Sequence, residues 1–238
     1  MHSRDLIEQY KSYVQDWRRY FHKHPELSNE EFETTKTLAK ELESMGVEVH
    51  VDTERGIGLI GIIHGGKPGK AIALRADIDA LPVHEHNTVD YKSETEGKMH
   101  ACGHDGHMAI LLGAAKMLMS MKDRIEGDVY LAFQPAEETG AGAPDFIKFG
   151  DWYDKIDAIF GGHVWIDLPA GLISVEEGPR MAASSQITIN VKGKQGHGAQ
   201  PHQAIDAIVV ASAIVMNLQT VVSRNVSALD SLVLTIGN

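Results

Sequence analysis

The run DVYLAFQPAEETGAGA, residues 128–143, changes character in the middle. Between Asp128 and Gln134 every residue is β-branched, aromatic or aliphatic, and the seven read as a strand. The rest brings a proline, two adjacent glutamates and the small-residue run GAGA. Strand-like runs of the same kind occupy residues 47–52 (VEVHVD), 57–64 (IGLIGIIH), 71–77 (AIALRAD) and 157–164 (DAIFGGHV). Helical patterns lie between them. Leu6, Ile7, Tyr10, Val14, Trp17 and Phe21 recur at helical spacing ahead of Pro25, and residues 106–121 form an apolar stretch rich in Ala, Leu and Met. Ser28 and Glu31 have the spacing of a capping box for a second helix, with Phe32, Leu38, Leu42 and Met45 as its apolar face and Gly46 as its stop. Alternating helices and strands predict an α/β fold. Open α/β sheets build sites beyond the carboxyl ends of their strands, which is where Asp77, Glu137 and His163 fall.

The segment ACGHDGH, residues 101–107, holds the single cysteine of the chain. One cysteine forms no internal disulfide. With His100, His104, Asp105 and His107 around it, Cys102 reads as a thiolate ligand in an imidazole- and carboxylate-rich pocket. With Glu137, Glu138 and His163 it offers the sulfur, nitrogen and oxygen donors that zinc, manganese, cobalt or nickel accept. Other sites are disfavoured. Gly56, Gly58 and Gly61 spell GxGxxG, but IIHGGKPGKAIAL follows instead of the helix a dinucleotide requires. No GxSxG elbow and no HExxH helix occurs.

With 238 residues the chain has room for one large or two small domains, and its net charge of −11 argues against a nucleic-acid partner. The first residues, MHSRDLIEQYKSY, show no apolar signal core, and no apolar run reads as long enough to cross a bilayer. The expectation is a cytoplasmic protein without a membrane partner. From about residue 183 a second unit is expected: SQITINVKG as a strand, residues 202–222 as a helix, SLVLTIGN as another strand. His22 and His24 read as helix-end residues beside Pro25. His100 either packs or faces solvent.

Six stretches now carry a resemblance, in order along the chain: WRRYFHKHPELSNEEFET (17–34), LRADIDALPV (74–83), KMHACGHDGHMA (98–109), FQPAEETGAGA (133–143), GGHV (161–164) and GHGAQPHQAIDAI (196–208). Together they resemble the aminoacylase/carboxypeptidase family of dinuclear metallohydrolases, in the branch of hippurate hydrolases, N-acyl-amino-acid amidohydrolases and auxin-conjugate hydrolases. The resemblance implies a zinc-peptidase-like catalytic domain, a mixed sheet flanked by helices, over residues 1–182. It implies the first half of a small α/β, ferredoxin-like lid over residues 183–238. It implies two divalent metal ions, with Cys102 bridging, His104 and His163 as terminal imidazoles and Glu138 as a carboxylate ligand. Glu137 matches the general base. His197 matches a lid histidine that reaches a dimer mate's oxyanion, and His202 the second histidine of that motif. Asp77, Asp79, Asp105 and His107 are expected to support the ligands without binding metal.

The implied reaction is hydrolysis of an N-acyl amino acid by a homodimer. A dipeptidase of the same family and a non-catalytic metal-binding or dimerising fragment are the alternatives. The family carries a further lid half and a return segment with a last histidine ligand. The chain is therefore expected to be a C-terminally shortened form and a poor catalyst by itself.

Overall fold

The computed structural model describes residues 3–237. The chain divides into two compact units, Met1–Gly178 and Pro179–Asn238. The first unit is built on a five-stranded sheet. Its elements are helix α1 (Ser3–Lys23), helix α2 (Phe32–Ser44), strands β1 (Glu48–Val51), β2 (Leu59–His64) and β3 (Ile72–Asp77), helix α3 (His104–Met119), strand β4 (Asp128–Gln134), short helices α4 (Gly142–Phe146) and α5 (Trp152–Lys155), and strand β5 (Ala158–Gly161). The strand order is β1-β2-β4-β3-β5. β1–β2 and β2–β4 are antiparallel, whereas β3–β4 and β3–β5 are parallel. Asp77 stands opposite Gln134 in the register, so β3 and β4 end together and their following loops leave side by side.

Successive side chains of a strand point to opposite faces, and β4 uses this to serve two cores. Val129, Leu131 and Phe133 face a cluster with Phe21 of α1, Leu38 and Leu42 of α2, and Met108, Leu111 and Leu112 of α3. Tyr130 and Ala132 face a second cluster with Ile60, Ala73, Phe146 and Trp152. α1 and α3 approach closely: a β-carbon on Gly113 would stand 2.4 Å from Val14 Cγ2. All five strands expected for this unit form. Gly61 lies inside β2 and opens no helix, in keeping with rejection of the nucleotide fingerprint.

The capping box does not form. Glu31 is the N-cap of α2 but makes no side-chain bond to that helix. Glu26 accepts from the amides of Glu33 and Thr34 instead, at 3.2 and 2.7 Å. Ser28 Oγ donates to Asp79 at 2.6 Å. The local spacing suits a box, but both side chains meet stronger long-range partners.

In the second unit, helix α6 (Ala207–Thr220) is capped by Asp206, whose carboxylate accepts from the amides of Ile208 and Val209. The two flanking segments expected as strands form no ladder among the described residues; a single bridge, Lys194–Ile205, stands there. Alternation specifies a face, not a partner, and a strand needs both. Ile187, Ile208 and Met216 remain exposed. The expectation that no run is long enough to cross a bilayer is corrected by length: Ala207–Asn225 has 19 residues and a mean hydropathy of 1.5. Soluble core helices reach the same values, so composition alone assigns this segment no membrane.

Candidate metal centre

α3 begins where the cysteine loop ends. Gly103, its N-cap, has φ +95, and a β-carbon there would stand 2.4 Å from Val164 Cγ2. Only glycine fits both the left-handed backbone and the gap. This sharp entry places Cys102 and His104 on opposite sides of one glycine. Around His104 the donors fall into three groups, each with its ligand atoms within 4.8 Å of one another: Cys102, His104 and His163; His104, Glu137 and Glu138; and Asp77, His104 and His107. The four expected ligands and the expected base thus meet at the parallel strand ends, from loops after β3, β4 and β5.

The hydrogen bonds fix which nitrogens are free. His104 Nδ1 donates to the Asp79 carbonyl at 2.8 Å, which leaves Nε2 as a lone pair in the neutral ring. That atom is buried and has no hydrogen-bond partner among the described residues, and the same holds for Glu138 Oε1. They face each other across 3.8 Å. Two buried orphan donor atoms of ligand chemistry, converging on one point, fit a divalent cation between them. His163 Nδ1 donates to the Val164 carbonyl at 2.6 Å, and its Nε2 lies 3.5 Å from Cys102 Sγ. Burial and then the charge of Glu138 push the Cys102 thiol up to about 12. A pocket this acidic holds a thiolate only when a cation offsets its charge.

His107 is differently employed. Its Nε2 accepts the Val164 amide at 2.9 Å, so Nδ1 carries the proton and donates to Asp77 at 2.6 Å. Both nitrogens are used, and the ring ties the His163 loop to β3. Asp77 also takes a bond from Arg75 at 2.7 Å. Asp79 accepts from Ser28 Oγ and from the Glu138 amide at 3.0 Å, besides lying 3.3 Å from His104 Nδ1. Asp105 touches none of the donors. It accepts from Arg18 at 3.2 Å and from His22 at 2.8 Å, binding α3 to α1.

Sequence reasoning missed the depth of His22 and Glu31 and left that of His100 open. His22 is buried, with Asp105 on Nδ1 and Glu85 on Nε2, and the Asp105 bond raises its pKa. Carboxylates lie against both nitrogens, an arrangement that favours the protonated ring. His100 packs in the interior, and burial pushes it down to about 4. Glu31 is fully buried. Nothing local marks any of them: His22 and Glu31 meet partners far along the chain, and both ring nitrogens of His100 lie buried without a hydrogen-bond partner among the described residues. The glutamate pair is carried by a turn and not by an extended segment. It sits in one 3₁₀ turn, Glu137–Thr139, after a left-handed Ala136, and both carboxylates reach the His104 side. His197 lies exposed in the second unit, its Nδ1 accepting the Ala199 amide at 3.2 Å.

Burial raises the Glu31 carboxyl from 4.5 to about 7. The folded state therefore binds this proton more tightly than the unfolded chain. The penalty of ionised Glu31 is present in full above pH 7 and fades as pH falls toward 4.5. The melting-temperature gap between Glu31→Gln and the unsubstituted protein is expected to move in favour of the variant from pH 4.5 to 7 and then level off. A gap constant with pH in thermal melts would contradict the shift.

A sheet whose parallel strand ends feed one Cys, His and carboxylate donor set defines an α/β protein with a candidate metal centre. The chain belongs to peptidase family M20/M25/M40, whose profile matches residues 73–229. It is 42% identical over 233 residues to an N-acyl-L-amino acid amidohydrolase of Geobacillus stearothermophilus, covering 97% of this chain and 62% of that protein. A Bacillus subtilis structure described as a dinuclear metal binding peptidase from the M20 family matches at 42% identity and TM-score 0.69, over 72% of this chain and 48% of that one. A putative aminohydrolase from methicillin-resistant Staphylococcus aureus matches at 40% identity and TM-score 0.79, over 100% of this chain and 64% of that one. The chain spans less than two thirds of the length of each of these relatives.

Proposed function

We propose that the protein hydrolyses the amide bond of N-acyl amino acids, releasing a carboxylate and a free amino acid. The observation that carries this reading is the buried, unpartnered pair His104 Nε2 and Glu138 Oε1 beside a second carboxylate, Glu137. Cys102, His104, His163 and Glu138 would hold two divalent metals; zinc, manganese, cobalt and nickel all suit this donor set. When bound, such a pair polarises the scissile carbonyl and acidifies water. Glu137 takes the proton of the attacking water and delivers it to the leaving amine. Asp79 holds the tautomer of His104 and the Glu138 backbone, and Asp77 with His107 holds the loop of His163. His197 supplies an oxyanion donor across a homodimer whose lid includes residues 183–238, with residues 1–182 as the catalytic part. The amidohydrolase relative from Geobacillus supports the substrate class. The location is cytoplasmic.

The test is made on the full gene product carrying this sequence. About two metal ions per chain and turnover of N-acetyl or N-benzoyl amino acids, both removed by chelation, are expected. Chelation should also lower the melting temperature, because metal bound only to the native state stabilises it by mass action. Faster turnover of dipeptides than of any acyl amino acid would move the reading to a dipeptidase. Metal binding without any turnover would end the enzymatic reading.

A further inference from the structure

The turn that carries Glu137 is held from behind. Ala136 has φ +53, a left-handed conformation that costs a residue with a β-carbon free energy, and it is 1% exposed. Something must hold it there. Its amide donates to Glu31 Oε1 at 2.7 Å, across 105 residues of sequence. Its carbonyl accepts from Thr139 Oγ1 and from the Gly142 amide. Two residues on, the Glu138 amide donates to Asp79. Glu137 is therefore bracketed by two peptide N–H groups, each held by a buried carboxylate.

A glutamate at a helix N-cap would ordinarily serve its own helix. Glu31 does not: its side chain makes no cap bond, and Glu26 serves the first amides of α2. The Glu31 backbone is itself anchored, its carbonyl accepting from the Thr35 amide and hydroxyl. Its carboxylate is thus a fixed acceptor turned toward Ala136. Its second oxygen, Oε2, has no partner. A carboxyl group kept this deep for packing alone is costly where a methionine of similar size would fit.

We infer that Glu31 is a positioning residue: its carboxylate holds the Ala136 amide and so fixes the left-handed peptide that aims Glu137 at the reacting centre. The inference rests on the role proposed above for Glu137. Glu31 itself belongs to none of the donor groups.

The informative comparison is Glu31→Gln against Glu31→Met in the full, metal-loaded gene product. Both variants lose the charge and keep the size. Only glutamine keeps an acceptor for the Ala136 amide. Glu31→Met is expected to lower kcat by about 10–100-fold with KM within about threefold, because a misaimed base acts on the transition state and not on binding. Glu31→Gln should restore most of the loss. Metal content should match the unsubstituted protein in both. Amide hydrogen exchange gives the second readout: the Ala136 amide should be as protected as those of β4, and should exchange faster in Glu31→Met alone. Equal kcat in the two variants, or fast exchange at Ala136 in the unsubstituted protein, would overturn the inference. If Glu31→Met does not fold, the glutamine variant and the exchange of the unsubstituted protein decide. If that protein turns over no acyl amino acid, the proposed function fails, and exchange alone decides whether Glu31 holds the turn.

Discussion

Glu137→Gln is expected to lower turnover of N-acyl amino acids by about 10²–10⁴-fold while leaving metal content unchanged. The carboxylate of Glu137 lies with those of Glu138 and the imidazole of His104 in one donor group. Its neighbour Glu138 is the one with a buried, unpartnered oxygen aimed at His104 Nε2. The proposed division follows that asymmetry, with Glu138 as the ligand and Glu137 as the group that moves a proton. An amide cannot accept and return a proton near neutral pH, so glutamine at position 137 removes the shuttle and little else. Glu138→Gln should weaken metal binding as well, since a neutral amide is a poorer donor to a divalent cation. Metal content after dialysis and steady-state rates separate the two variants. Equal metal loss in both would show that the assigned division is wrong.

The parts of this architecture that were legible in the sequence are those whose cause is local. β4 follows the boundaries of DVYLAFQ because a strand that faces two cores is apolar between its ends, from Val129 to Phe133, and is stopped by Pro135. The donor loop is legible because Cys102, Gly103 and His104 are contiguous, and the glycine is what allows the two donors to flank one turn. The convergence of His163 and the glutamates was legible only through topology, from the rule that parallel strands deliver their loops to one end. What failed depended on distant partners. Ser28 and Glu31 have cap spacing, yet their side chains go to Asp79 and Ala136. Asp105 sits one residue from His104 but points to α1, because adjacent residues at a helix start diverge by about 100°. The alternating runs flanking α6 lack pairing partners among the described residues, and alternation by itself supplies none.

Asp79 and Asp105 are both buried but hold different partners, and that difference gives the second large effect. Asp79→Ala is expected to cost about 10–100-fold in metal affinity and on the order of 3 kcal/mol in stability. Asp79 is 1% exposed, and its Oδ2 takes the Ser28 hydroxyl and the Glu138 amide together. Removing the carboxylate leaves both donors unpaired in the interior and frees the Glu138 turn. His104 keeps the Asp79 carbonyl, so its tautomer survives; the loss falls chiefly on where Glu138 stands. Asp79→Asn should lie between, since its amide oxygen still accepts one of the two bonds. Asp105→Ala is the matched control. Asp105 is equally buried and equally bonded, but to Arg18 and His22. It should cost comparable stability, because it removes an acceptor from Arg18 and from the buried His22, and yet leave metal affinity within about threefold, since no donor leans on it. Calorimetric metal titration of the two alanine variants, beside their melting temperatures, makes the comparison. Equal loss of affinity would mean that coupling through α3 carries as far as direct contact, and that the bonds of Asp79 to the donor loop do not distinguish it.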